Sequence, residues 1–319
     1  MPNKIDGIFP AVILISGSGP QNRDSELFGH KPFLVIADYL VKREIAVLRF
    51  DDRGVGLSKG NHNTATTLDF ADDVEAAFSF LSKRKNIDSK KIGLIGHSEG
   101  GMIASMIASR LKNIDFIVLL ATPGLQGDKI LLSQSKLLLT KTGKNKEDID
   151  KISRINKKSY RLIQKNKNVD QLKIKLVSHL NSSQKKYNFL LDKPKQINSD
   201  DYVKSLISQM ISPWFTFFIN YDPKNALERV KCPVLAINGK NDVQVASGKN
   251  LNAIRKALQK GKNKDYVIKE LPKLNHLFQE SNTGFPHEYS RIEQTFSPIA
   301  LKVMGDWIET RVNKPKLDK

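Results

Sequence analysis

The 319-residue chain is short of several things that would narrow its function at once. A single cysteine, Cys232, excludes an internal disulfide framework and leaves no cysteine cluster for zinc. No long apolar run exists: residues 1–9 contain none, and the run at 11–15 is too short for a membrane span or the core of a signal peptide. As written, the chain reads as cytoplasmic; a periplasmic or secreted location would follow if a signal-bearing N-terminal region were missing from it. Acidic residues are also scarce, 33 Asp and Glu against 52 Lys and Arg, for a net charge of +19. Such a surplus is what a nucleic-acid or anionic-membrane binder carries, so its location along the chain matters.

Between residues 10 and 120 one pattern repeats: a short apolar run, a glycine-rich turn, then a helical period. The runs fall at 11–15, 45–50, 91–96 and 116–120, with helices expected at 32–42, 68–81 and 102–111. The pattern resumes with a run at 234–237, a helix at 246–258, a run at 266–271 and a last helix near 298–310. Near-continuous apolar strands alternating with helices imply a mostly parallel sheet covered on both faces. The interruption, 125–225, contains no glycine after Gly143 and reads as helices joined by polar turns. It holds 20 of the basic and 9 of the acidic residues, so eleven of the nineteen surplus charges sit there. The expected organisation is therefore a first core segment at 1–124, a helical cap at 125–225 and a second core segment at 226–319.

Gly96-His97-Ser98-Glu99-Gly100 follows an expected strand and opens an expected helix. In that context G-x-S-x-G is a strained turn that exposes a serine hydroxyl above the sheet, with the amides of the new helix pointing toward developing negative charge. Together with Ser16-Gly17-Ser18-Gly19-Pro20-Gln21-Asn22-Arg23-Asp24, Phe28-Gly29-His30-Lys31-Pro32 and Asp51-Asp52-Arg53-Gly54-Val55-Gly56-Leu57-Ser58, the segment resembles the α/β-hydrolase superfamily. Within it the chain is similar to a bacterial esterase-like subgroup, often described as serine aminopeptidase-like. The resemblance runs from Pro10 to the last helix and implies an α/β-hydrolase fold with a helical cap inserted before the acid-bearing strand.

It also implies a chain order of nucleophile, acid, histidine. Asp242, in the Gly239 turn after the 234–237 strand, is then the acid, and His276, in the loop after the 266–271 strand, the base for Ser98. The oxyanion donors implied are the backbone amides of Glu99 and Ser18. Trp214, Phe215 and Phe218, in the most aromatic stretch of the cap, either line an acyl pocket or form cap core. His30 either fixes the loop network or borders the site entrance, and it stands with them as a candidate pocket residue. His97 is expected to pack beneath the turn; His62, His179 and His287 read as surface or packing residues. Asp51 and Arg53 read as braces of a turn rather than a metal site.

Asn22 stands where a dinucleotide fingerprint needs glycine, so no cofactor is expected, and no metal. The basic cap lacks a nucleic-acid motif, leaving at most a weak attraction to polyanions or anionic lipid. The expected function is cleavage of a small-molecule carboxylic ester through an acyl-enzyme. An aminopeptidase or acyl-thioesterase would use the same triad, and a non-catalytic protein binding through its basic cap is the alternative of another class. Only nine residues precede the first strand, fewer than in the family, so a sheet edge open to another chain, and with it oligomerisation, is left open.

Overall fold

The computed structural model describes residues 1–3, 7–187 and 199–313. The chain folds into two compact units, one of residues 1–62, 68–125 and 223–319, the other of 63–67 and 126–222.

The first unit is an α/β layer structure. Its elements are β1 (Phe9–Ile15), α1 (Pro32–Val41), β2 (Ala46–Leu48), α2 (Thr67–Ser82), β3 (Ile87–His97), α3 (Glu99–Arg110) and β4 (Ile117–Leu120). After the second unit, with α4 (Gly127–Lys141), α5 (Lys146–Lys165), α6 (Val169–Lys186), α7 (Ser199–Met210) and α8 (Pro213–Asn220), the first resumes. It then contains α9 (Lys224–Leu227), β5 (Val234–Gly239), α10 (Ser247–Lys260), β6 (Tyr266–Leu271), α11 (Pro286–Tyr289) and α12 (Pro298–Val312).

The six strands form one sheet in the order β2-β1-β3-β4-β5-β6, and every ladder among them is parallel. Side chains alternate faces along a strand. Val12, Leu14, Val118, Leu120, Leu235 and Ile237 join α1 and α12 residues such as Ile36, Leu40, Met304 and Ile308 in one core. The intervening Ile13, Leu119 and Ala236 are fully buried too, so both faces are covered and near-continuous apolar runs are what such strands require. This is the α/β-hydrolase fold with a parallel sheet flanked by helices. Because β1 pairs with β2 on one side and β3 on the other, the chain direction across the sheet switches between β1 and β3. Sheets of this kind place their sites in the crevice beyond the carboxyl ends of the strands at that switch.

β3 begins at Ile87, four residues before the expected run. Its first half, Asp88-Ser89-Lys90-Lys91, is polar and only partly buried, and the pairing with β1 is irregular between Phe9↔Ile87 and Ala11↔Ile92. β2 is shorter than its apolar run and lies at the sheet edge, where a short strand limits unwanted pairing.

The helical unit is built on local signals. Asn145, Asn168 and Ser212 cap α5, α6 and α8 by accepting the amides of Asp148, Gln171 and Phe215. α6 buries Leu172, Leu176, His179 and Leu180 at helical spacing. The three leucines meet Ile155, Tyr160, Val203, Ile207 and Phe215 in a second core. Among the described residues no helix is long and apolar enough to cross a membrane.

Candidate active site

Ser98 sits between β3 and α3 with φ 53° and ψ −119°, a conformation that costs a non-glycine residue about 1–3 kcal/mol. The surroundings over-determine it. Its N–H donates to the Leu120 carbonyl at 2.8 Å, and its own carbonyl accepts the Gly101 amide at 3.0 Å. A Cβ on Gly96 would lie 2.1 Å from the Gly100 carbonyl oxygen, and one on Gly100 would lie 2.2 Å from that of Ile15. Strand, turn and helix therefore close only with glycine at both places.

The other two candidate residues arrive from β5 and β6. A Cβ on Gly239 would meet the Leu274 carbonyl at 2.1 Å, so the loops after these strands touch backbone to backbone. Asn241 N–H donates to the Leu274 carbonyl at 2.9 Å. This contact brings Asp242 Oδ2 within 2.7 Å of His276 Nδ1, with Asp242 2% and His276 5% exposed. Asp242 Oδ1 accepts the amides of Gln244 and Val245, both at 2.8 Å, which fixes the carboxylate plane. Asn275 shapes the histidine loop by accepting the Leu277 and Gln279 amides at 3.0 and 2.9 Å. Because the carboxylate can only accept, Nδ1 of a neutral His276 carries the proton and Nε2 keeps its lone pair.

His97 joins the histidine loop to the serine turn. Its Nε2 hydrogen-bonds the His276 carbonyl at 2.9 Å, and the two rings lie 4.8 Å apart. Burial, then the neighbouring His276, hold the His97 pKa down at about 3. The ring is thus neutral, donating from Nε2.

The loop after β1 packs against the turn: a Cβ on Gly17 would lie 3.3 Å from that of Ser98. It is pinned from the β2 side. Ser16 Oγ donates to Asp52 Oδ1 at 2.7 Å, and the Gln21 amide to Asp52 Oδ2 at 2.9 Å. Asp51 accepts the Arg23 amide at 2.7 Å and the Arg23 guanidinium at 3.1 and 2.7 Å. These two neighbouring acids diverge: hydrogen bonds from Arg23 hold Asp51 at about 2, whereas burial pushes Asp52 up to about 6. Arg53 pairs with Asp73 at 2.7 Å. Ser18 Oγ donates to Glu99 Oε2 at 2.6 Å, and Glu99 is 1% exposed.

Of the residues singled out in the sequence, Asp242 and His276 are bonded directly, and Ser98, Ser18 and Glu99 lie together where β1 and β3 end. His30 is buried, with its ring nitrogens on Thr295 Oγ1 and the Tyr289 carbonyl at 3.0 and 2.9 Å, which ties the loop before α1 to the C-terminal region. Trp214, Phe215 and Phe218 lie on α8 within the helical unit, where Phe215 and Phe218 are buried and the Trp214 and Phe218 rings stack at 5.1 Å. Three side chains carry more than the sequence reading gave them: the Asp52 carboxyl, the Glu99 carboxyl, and His62, whose ring hydrogen-bonds the Gly19 backbone. Each acts on a partner distant in sequence, so no local pattern announces it. Among the described residues no group of three His, Cys, Asp or Glu side chains is placed to hold a metal ion.

A family model described as serine aminopeptidase, S33, matches residues 31–282. Esterase EstD of Thermotoga maritima is 33% identical over 144 residues, which is 43% of this chain and 34% of that protein. The match thus spans about a third of the length of that relative. Among solved structures, the α/β hydrolase GrgF from a Penicillium species superposes with a TM-score of 0.58 at 15% identity, over 97% of this chain and 92% of the other. An esterase of Pyrococcus furiosus gives 0.54 at 18% identity, over 97% and 84%. At these identities the structural matches speak for the fold.

Proposed function

The chain belongs to the serine aminopeptidase S33 family, and from that premise we propose that it is a serine hydrolase that cleaves a small-molecule carboxylic ester through an acyl-enzyme on Ser98. One observation carries the reading: a serine held in a strained turn at the carboxyl end of β3, at the same end of the sheet as a buried histidine–carboxylate pair. A serine hydroxyl is a weak nucleophile at neutral pH, and the pair supplies what it lacks. His276 Nε2 takes the Ser98 proton as Oγ attacks the ester carbonyl. Asp242 stabilises the imidazolium without itself taking the proton. The tetrahedral oxyanion is held by the amides of Glu99 and Ser18. The imidazolium then protonates the departing alkoxide, leaving an acyl-serine and a free alcohol. Water, deprotonated by His276, repeats the addition and releases the carboxylic acid.

Ester cleavage is favoured over aminopeptidase chemistry by charge and by likeness. Recognition of a free substrate amine calls for carboxylates, and segment 125–225 carries 20 basic against 9 acidic residues. The Thermotoga relative is named an esterase. The test is covalent labelling with a fluorophosphonate together with turnover of short p-nitrophenyl esters. Wild type is expected to label and turn over; Ser98→Ala is expected to do neither, with kcat reduced about 10⁶-fold. A wild type inert to both removes the proposal. Parallel ester, aminoacyl-anilide and thioester substrates decide which of the three bonds is cleaved.

A further inference from the structure

The oxyanion loop is poorly held by its own composition. Gly17-Ser18-Gly19 has two residues without side chains, Gly19 adopts φ +90°, and nothing lies within 4 Å of where its Cβ would be. Ser18 is exposed. Such a segment samples many backbone conformations unless something outside it intervenes. Yet an oxyanion donor must be fixed to within fractions of an ångström.

Asp52 pins the loop on either side, at Ser16 and Gln21, and Gln21 Nε2 donates to the Ser18 carbonyl at 3.3 Å; the Ser18 side chain is held by Glu99. Its carboxyl is buried to 1% exposure, although water is the natural surrounding of that group and the mechanism requires only the Glu99 backbone. Oε2 accepts the Ser18 hydroxyl at 2.6 Å across 81 residues of sequence. On the neighbouring residue, the His62 ring hydrogen-bonds the Gly19 backbone, lies within electrostatic reach of Glu99 and stacks on Phe70 at 5.0 Å. The loop is thereby gripped at consecutive positions from two elements.

We propose that Glu99 is the positioning residue of the oxyanion hole: its backbone amide is one donor, and its carboxyl anchors the residue that supplies the other. Both donors then keep their spacing through a single residue of α3. This rests on the reading of Ser98 as nucleophile.

The experiment compares wild type, Ser18→Ala, Glu99→Ala, Glu99→Gln and the double variant Ser18→Ala/Glu99→Ala. The readouts are kcat, KM, fluorophosphonate labelling of Ser98 and affinity for an alkyl boronic acid, whose serine adduct mimics the tetrahedral anion. Removing the tether is expected to lower kcat about 10- to 100-fold with KM nearly unchanged, and to weaken the boronic acid by a similar factor. Ser18→Ala alters an exposed residue, so the same loss there cannot be ascribed to misfolding. Glu99→Gln keeps an acceptor oxygen and is expected to recover most of the loss, and the double variant is expected to be no worse than Glu99→Ala alone. Unchanged kcat in Glu99→Ala with intact labelling overturns this proposal by itself. So does a loss confined to KM, additive losses in the double variant, or full activity in Ser18→Ala. If wild type neither labels nor turns over, the nucleophile reading fails and takes the positioning role with it.

Discussion

The two units bury polar side chains to different ends. In the helical unit His179 Nε2 and Ser159 Oγ both serve the Ile155 carbonyl, at 3.1 Å each, and burial pushes the Tyr160 hydroxyl up to about 12. These groups are satisfied by nearby backbone or kept neutral, and they leave no reactive atom poised. In the α/β unit the buried Asp242, His276 and Glu99 and the half-buried Asp52 take partners from other loops: Asp242 pairs with His276, Asp52 with Ser16, Glu99 with the exposed Ser18. Each of those bonds fixes a loop at the carboxyl end of a strand. Burial of polar groups alone therefore does not mark a site. Their convergence on one sheet end does.

The sharpest way to break the contrast is to remove chemistry from the α/β unit without removing structure. Asp242→Asn keeps an oxygen for the Gln244 and Val245 amides but presents an NH₂ to His276, forcing its proton onto Nε2. The base is lost, and kcat is expected to fall about 10⁴-fold. The unfolding midpoint in denaturant should move little. A loss of activity matched by a large loss of stability would mean that the pair serves folding, as the helical unit's polar groups do.

The converse substitution lies in the helical unit. Phe215 is 6% exposed and packs its ring 6.1 Å from that of Tyr160. Phe215→Ala is expected to cost about 3–5 kcal/mol of stability through lost burial and the cavity left behind. If α8 contributes core alone, the preference among acyl chain lengths stays as in wild type. A shifted preference with little destabilisation would make α8 part of an acyl pocket instead.

How much of this the sequence discloses follows the same division. The serine turn is legible because its geometry demands glycines at 96 and 100 beside a strand and a helix, all within a few residues. Asp242 and His276 are reached by resemblance: the family's chain order calls for an acid and then a histidine in the loops after the later apolar runs. What stays hidden is every role fixed by the strand order. Ser16 meets Asp52 across 36 residues, Ser18 meets Glu99 across 81, and His97 meets the His276 carbonyl across 179. These pairs exist because β3 lies beside β1, and β5 and β6 follow, an arrangement that no local period encodes. The start of β3 is hidden for a related reason: its polar, partly exposed half lacks the apolar signal by which strands are read.

The smallest effect expected is a pH dependence of stability, and it sets two half-buried groups of the α/β unit against each other. His97 is held at about 3 in the folded chain against 6.5 ordinarily, so between those values the unfolded chain binds a proton there and the folded chain does not. Stability from this group is complete above about pH 6.5 and is lost on acidification. Asp52 runs the other way. Its folded value of about 6 against 3.8 means that the folded chain holds the extra proton, so stability falls as pH rises from about 4 to 6. A shift of that size corresponds to at most about 3 kcal/mol. Asp52→Asn removes the opposing contribution. In denaturant titrations at stepped pH, its stability relative to wild type should therefore decline as pH falls from 7 to 4, and its acid unfolding should steepen. A difference that stays flat over that range would show that Asp52 titrates as an ordinary surface carboxyl, and the loop after β1 would then rest on its hydrogen bonds alone.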